Sequence, residues 1–244
     1  MTNKHKRLLI LISIFVFIQC AFNIIAFLID VYDWCKSDLA ESIKYSSIVL
    51  CFIVSIFAYK TKKGFLITAG LGFTLISDYF LLIRFDHFVL GVSIFILAHT
   101  CYFLFIEPKH WKLSLIIRGS IFLVVTILVS ILIEEKDASL YLAAFYFINL
   151  VMNTADAYMS KDKGLLLFAI GLTFFIGCDI FVCFYNLNDY IDTSSEFIKK
   201  LIDFSYKGIW LCYIPSQTLI SISAYFKDKY DKIGENNIVK QCEE

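Results

Sequence analysis

The sequence predicts an all-α fold: a polytopic membrane bundle of about eight transmembrane helices. Three observations carry this. Of 244 residues, 59% are hydrophobic and only 18% are charged, against about half and about a quarter in soluble domains. The apolar residues gather into stretches of the roughly 20 residues that cross a bilayer core. The charged residues fall between those stretches, with a bias that alternates from one link to the next.

The first stretch, about 8–29, follows Lys4, Lys6 and Arg7. A cleaved signal begins this way too, but this apolar run is longer than a signal core, and no small-residue cleavage pattern follows it. Ile18-Gln19-Cys20 does not make a lipoprotein signal, so a retained helix is expected. Further spans are expected at about 43–59, 65–83, 88–106, 113–133, 139–159, 164–185 and 208–226, within a single transmembrane domain over 1–244. Most links are short, which packs sequential helices antiparallel. The long link is 186–207, and residues 227–244 are expected to form a cytoplasmic tail.

With the N-terminus in the cytoplasm, the inner segments hold Lys4, Lys6, Arg7, Lys60, Lys62, Lys63, Lys109, Lys112, Lys161, Lys163, Lys227, Lys229, Lys232 and Lys240. Arg118 is expected to snorkel to the same side. The outer links carry the acids Asp30, Asp33, Asp38 and Glu41, then Glu134, Glu135 and Asp137. An even number of spans follows, with both termini cytoplasmic, in a bacterial inner membrane or the endoplasmic reticulum.

Two helices look alike. Gly70 to Asp78 and Gly171 to Asp179 both read G-L-x-F-x-x-x-x-D, and each follows a Lys-Gly pair, Lys63-Gly64 and Lys163-Gly164. They lie four spans apart, which suggests a parallel repeat of four helices plus four. Gly70, Gly72, Gly171 and Gly177 suit close helix packing.

A carboxyl inside a bilayer is costly and turns toward the bundle interior. Asp78 and Asp179 sit at matching depth, roughly 6–9 Å from the ends of their helices at 1.5 Å per residue. If those helices are neighbours, the two carboxyls meet in one cavity. Carboxyls held close together share a proton, which supplies an acid and a base in one place. Asp156 is expected to be structural. Gly91, Phe95, His99 and Tyr102 share one face of the fourth span. A single buried histidine is too few ligands for a metal, so hydrogen bonding or proton relay is expected of His99. Ser216 and Gln217, and likewise Asn149 and Asn153, are candidates for bonds between helices. Pro215 is expected to kink the eighth span and free a carbonyl.

Several classes are poorly supported. A net charge of zero gives no argument for nucleic acid. The eight cysteines include no C-x-x-C pair, and neither a zinc site nor a disulfide framework is read from them. No G-x-S-x-G, Walker loop or H-E-x-x-H occurs. No cofactor is expected, and nothing specifies an oligomer.

The pattern Gly70-x-x-Phe73-x-x-x-x-Asp78-x-x-Leu81, then Gly91 to Tyr102, then Gly171 to Asp179 and Trp210-x-x-Tyr213-x-x-Ser216-Gln217, resembles the YhhN-like lysoplasmalogenases over about residues 40–226. Ser77 stands where that family usually has Gly, and Cys178 where it usually has Ser. The resemblance implies hydrolysis of the vinyl ether bond of a lysophospholipid, giving a fatty aldehyde and a glycerophospho-head group. It makes Asp78 and Asp179 the catalytic acid and base, with His99, Tyr102, Tyr213, Ser216 and Gln217 orienting groups or substrate. Glycosidases meet a similar oxocarbenium ion with two carboxyls. The competing readings are a lipid-binding or proton-coupled transport protein, an intramembrane aspartyl protease (whose G-x-G-D surround is absent), and a structural partner in a membrane complex.

Overall fold

A computed structural model describes residues 3–32, 37–58, 61, 63–84, 87–132, 137–160, 162–186 and 195–243. The elements are α1 (Asn3–Tyr32), α2 (Ser37–Ala58), α3 (Gly64–Asp78), a π-helical segment (Tyr79–Arg84), α4 (Phe88–Ile106), α5 (Trp111–Leu132), α6 (Ala138–Met159), a 3₁₀ turn (Lys163–Leu165), α7 (Leu166–Tyr185) and α8 (Glu196–Glu243). No strand occurs among the described residues. The fold is a polytopic helical bundle. Glu134, Glu135, Asp33, Lys60, Lys62 and Lys161 lie outside the described residues.

Seven of these helices, α1 to α7, are long and apolar enough to cross a membrane. The expected eighth span, 208–226, is helical but is not among them. Its Ser216, Gln217, Thr218, Ser221 and Ser223 dilute the apolar content, and all five are buried. A helix shielded by its neighbours does not need the all-round apolar surface that lipid demands. The link before it is also shorter than expected. Helix α8 already begins at Glu196, and it runs on without a break to Glu243 where a separate tail is expected from 227.

The two ends of the bundle can be told apart by their ion pairs. At one end Lys63 pairs with Glu107, and Lys227 pairs with Asp162. That end gathers the α2–α3, α4–α5 and α6–α7 connections and is called the basic face below. At the opposite face Lys44 pairs with Asp30 at 2.8 Å and with Glu41 at 3.4 Å, and its ammonium lies 5.2 Å from the Tyr206 ring and 5.0 Å from Trp210. Helix α8 therefore reaches from Tyr206 at one face to Lys227 at the other, as the apolar helices do. Asp30, Glu41 and Lys44 belong to helices here, where the sequence places the two acids in a polar link. Lys44 is fully buried, because opposite charge and two aromatic faces replace its water.

The helices α3, α4, α6, α7 and α8 form a closed ring, each packed on the next, and α8 returns to α3. The main core fills that ring, with Leu71, Phe95, Tyr102, Leu150, Phe168, Phe175 and Ile214 among its buried side chains. Helix α2 covers α3 and α8, and α1 covers α8 and α2. Helix α5 packs on α6, with only Ser114 and Arg118 buried. The neighbours also repeat: α1 on α2, α2 on α3 and α3 on α4 correspond to α5 on α6, α6 on α7 and α7 on α8, and α4 on α6 corresponds to α8 on α2.

Two glycines show why the ring closes tightly. A Cβ on Gly70 would lie 2.3 Å from Tyr102 Cε1, and one on Gly171 would lie 3.0 Å from Ile220 Cγ1. Away from the bilayer, α6 starts on an ordinary N-cap. Asp137 accepts from the Ser139 hydroxyl and backbone N–H, and these bonds hold its pKa below the usual carboxylate range.

Candidate functional site

Asp78 ends the regular part of α3, and the chain then widens into the π-helical segment Tyr79–Arg84. The sequence predicts one regular helix here. A π turn carries an extra residue per turn, and such turns are frequent at functional positions. Asp78 is 3% exposed, and Tyr213 Oη of α8 donates to its Oδ2 at 2.6 Å. The neighbouring Ser77 is turned the other way. Its hydroxyl donates to the Gly91 carbonyl of α4 at 2.6 Å, so it pins α3 to α4 and leaves the carboxyl to the core.

Asp179 holds the equivalent place on α7. Its partner is a second phenol: Tyr146 Oη of α6 donates to its Oδ2 at 2.7 Å. Each acid is thus held by one tyrosine from another helix of the ring. Helices α3 and α7 are not principal neighbours; α4 and α8 stand between them. Aromatic rings join the two halves instead. The Phe175 ring lies 5.3 Å from Tyr213, 5.6 Å from His99 and 5.8 Å from Phe95, and Phe95 lies 5.5 Å from Tyr146. Of the two acids, Asp179 is the more open.

The predicted face of α4 is found as expected, with Gly91, Phe95, His99 and Tyr102 all buried. His99 lies 5.1 Å from the Tyr146 ring and 5.4 Å from Tyr102. Its Nε2 is buried with no partner among the described residues. Tyr102 does not reach a carboxyl; its hydroxyl meets Thr74 Oγ1 at 3.4 Å. Ser216 and Gln217 also depart from expectation. Both are fully buried, but Ser216 Oγ and both polar atoms of the Gln217 amide lack partners among the described residues. Unpaired buried polar groups cost about 1–3 kcal/mol each. Gln217 stands one turn from Tyr213 on α8, so unspent hydrogen-bonding capacity collects beside the phenol that holds Asp78. Pro215, inside the same helix, supplies no N–H to the carbonyl four residues back.

Sequence reasoning passed over Tyr146, which reads as one more aromatic in an apolar span. It also missed how Arg118 is used. The arginine does not snorkel to the surface. It is 5% exposed and lies 2.7 Å from Asp156 Oδ2. Its Nη1 donates to Asn149 Oδ1 at 2.9 Å and its Nη2 to Asn153 Oδ1 at 2.9 Å. Ser114 donates to Asp156 at 2.7 Å and accepts from Arg118 Nε at 3.2 Å. Five fixed donors let guanidinium satisfy several acceptors at once, so turning inward is favourable here. Asp156 thus joins α6 to α5, and Asn149 and Asn153 do bond between helices.

No curated protein and no solved structure matches the chain. The model of the YhhN family matches residues 39–224, a range that takes in both acids, both tyrosines, helices α3 to α7 and the part of α8 up to Ala224. The chain belongs to the YhhN family.

Proposed function

We propose that this protein is a membrane-embedded hydrolase that cleaves the vinyl ether bond of lysoplasmenyl phospholipids. One observation carries the reading: two acids in equivalent places on α3 and α7, each held by a single neutral phenol, border one aromatic interior. Vinyl ether hydrolysis needs such a pair. A carboxylic acid protonates the β-carbon, and the electrons of the C=C bond form the new C–H bond. The oxygen-stabilised cation that results is favoured by a nearby carboxylate. Water adds to it and gives its proton to that carboxylate. The hemiacetal then collapses, the C–O bond to glycerol breaks, and a proton passes to the glycerol oxygen. One water is consumed, and one fatty aldehyde and one glycerophospho-head group leave.

Asp78 and Asp179 are the acid and the base in this scheme, and Tyr213 and Tyr146 orient them. Ser216 and Gln217 offer unspent donors and acceptors to the polar part of the lipid, and the ring's apolar side chains receive its tail. The charge bias of the links favours both termini on the cytoplasmic side.

Purified protein should release aldehyde from lysoplasmenyl lipid and none from the saturated ether analogue, whose oxygen lacks an alkene to protonate. No aldehyde from either lipid would overturn the reading. Lipid flux into sealed vesicles without chemical change would support a carrier instead.

A further inference from the structure

We infer that Arg118 and Asn153 are positioning residues that hold His99 in one tautomer, with its proton on Nε2, as a neutral hydrogen-bond donor to an oxygen of the bound ligand. The argument starts from what each group can do. Guanidinium only donates, so the Asn153 atom 2.9 Å from Arg118 Nη2 is the amide oxygen. The amide nitrogen therefore points to α4. It donates to the His99 backbone carbonyl at 2.9 Å and lies 3.5 Å from the His99 Nδ1. An NH₂ group has two protons, one for each of these acceptors. With Nδ1 facing a donor, the ring proton of a neutral imidazole belongs on Nε2. That nitrogen is buried, lacks a partner among the described residues, and sits on a ring bordered by Tyr102, Tyr146 and Phe175.

The rest of the cluster keeps the fork still. Asp156 and Ser114 occupy other guanidinium N–H groups, Asn149 takes another, and the Phe103 ring lies 4.7 Å from the guanidinium carbon. If Arg118 lost its hold on Asn153, the amide could turn over and offer its oxygen to Nδ1, which would move the proton to Nδ1 and leave Nε2 an acceptor. The ion network thus sets what His99 presents to the core. A donor at Nε2 suits an ether, alcohol or phosphate oxygen and rejects a cation. Within the proposed reaction, on which this one detail rests, the oxygen is that of the departing glycerol or of the hemiacetal, and His99 is not the base.

The test reads the tautomer first, without substrate. The chain has four histidines. Nitrogen-15 histidine labelling of the full-length protein in nanodiscs, with His99→Gln to identify the signal, reports which ring nitrogen carries the proton. Wild type should give His99 with Nδ1 bare and Nε2 protonated. Arg118→Lys keeps a cation for Asp156 but lacks the fork, and Asn153→Leu removes the donor; each should give mixed or reversed protonation. An Nδ1-protonated wild type, or an unchanged single tautomer in Arg118→Lys, would overturn the inference. Should Asn153→Leu not fold, Arg118→Lys decides alone. Turnover is the second reading. Arg118→Lys should lower kcat about tenfold or more with KM within about twofold, since the donor acts on groups that gain charge in the reaction. Wild-type kcat in this variant would also overturn it. Wild type releasing no aldehyde would sink the proposed reaction while the tautomer result stood.

Discussion

Two regions of this bundle hold acids within its helices, and they hold them differently. Near the basic face, Asp156 lies against a guanidinium at 2.7 Å and also accepts from a serine at 2.7 Å. In the ring's interior, Asp78 and Asp179 each accept from one phenol and touch no cation among the described contacts. The first is tied into an ion pair that joins two helices. The other two are oriented by neutral donors. The contrast separates an acid tied to a cation from acids tied to phenols, although all of them read alike in a hydropathy trace.

The contrast breaks most decisively at the pair proposed as acid and base. Asp78→Asn and Asp179→Asn should each lower aldehyde release by about a thousandfold or more, since the proposed step loses its proton donor or its base. Size-exclusion profiles and thermal unfolding should stay close to wild type. A single Asn variant with full activity would remove that acid from the mechanism. At the other region the effects should invert. Asp156→Ala leaves Arg118 buried and unpaired, which costs about 3–5 kcal/mol, and should appear as a marked loss of thermal stability in detergent. The double change Arg118→Met with Asp156→Leu should recover much of that stability, because no lone charge remains.

Smaller effects sharpen the picture. Tyr213→Phe and Tyr146→Phe keep ring packing and remove one hydrogen bond of about 1 kcal/mol. Each should cut turnover by roughly tenfold with little change in unfolding temperature. Equal losses would mean that the two acids depend alike on their tyrosines, whereas a loss in only one would identify the acid whose orientation limits the rate. Gly70→Ala has the smallest expected effect on chemistry and tests packing alone. Its Cβ would meet the Tyr102 ring, and overpacking of this kind costs about 1–3 kcal/mol. It should lower thermal stability while both acid–tyrosine bonds remain.

Much of this arrangement was legible in the residues. Apolar stretches placed the helices, and helical spacing placed Gly91, Phe95, His99 and Tyr102 on one buried face. The repeated G-L-x-F motif placed Asp78 and Asp179 at equivalent depth. What stayed hidden depends on how each helix is rotated against a distant one. Tyr146 and Asp179 meet only because α6 and α7 turn those faces together, and a tyrosine in an apolar run carries no mark of that. Arg118 was legible as a charge near a helix end, but whether it reaches water or a partner depends on α6 offering Asn149, Asn153 and Asp156 along one stripe. The low apolar content of α8 became intelligible only once its neighbours were seen to enclose it. Ser216 and Gln217 show the reverse limit, since the sequence could name them as hydrogen-bonding groups but not say that they lack partners among the described residues.

The widened turn after Asp78 has a consequence for how this helix tolerates insertions and deletions. A π turn is what a helix does with a surplus residue. Residues 79–84 therefore act as a slack joint, and α3 below the joint keeps its register whatever happens above it. Deleting one residue there would restore ordinary α geometry and leave the helix beyond the joint in nearly its present phase. The carboxyl before the joint would stay where it is. A one-residue change of length in this segment is therefore a step that natural variation can take without moving the acid before it.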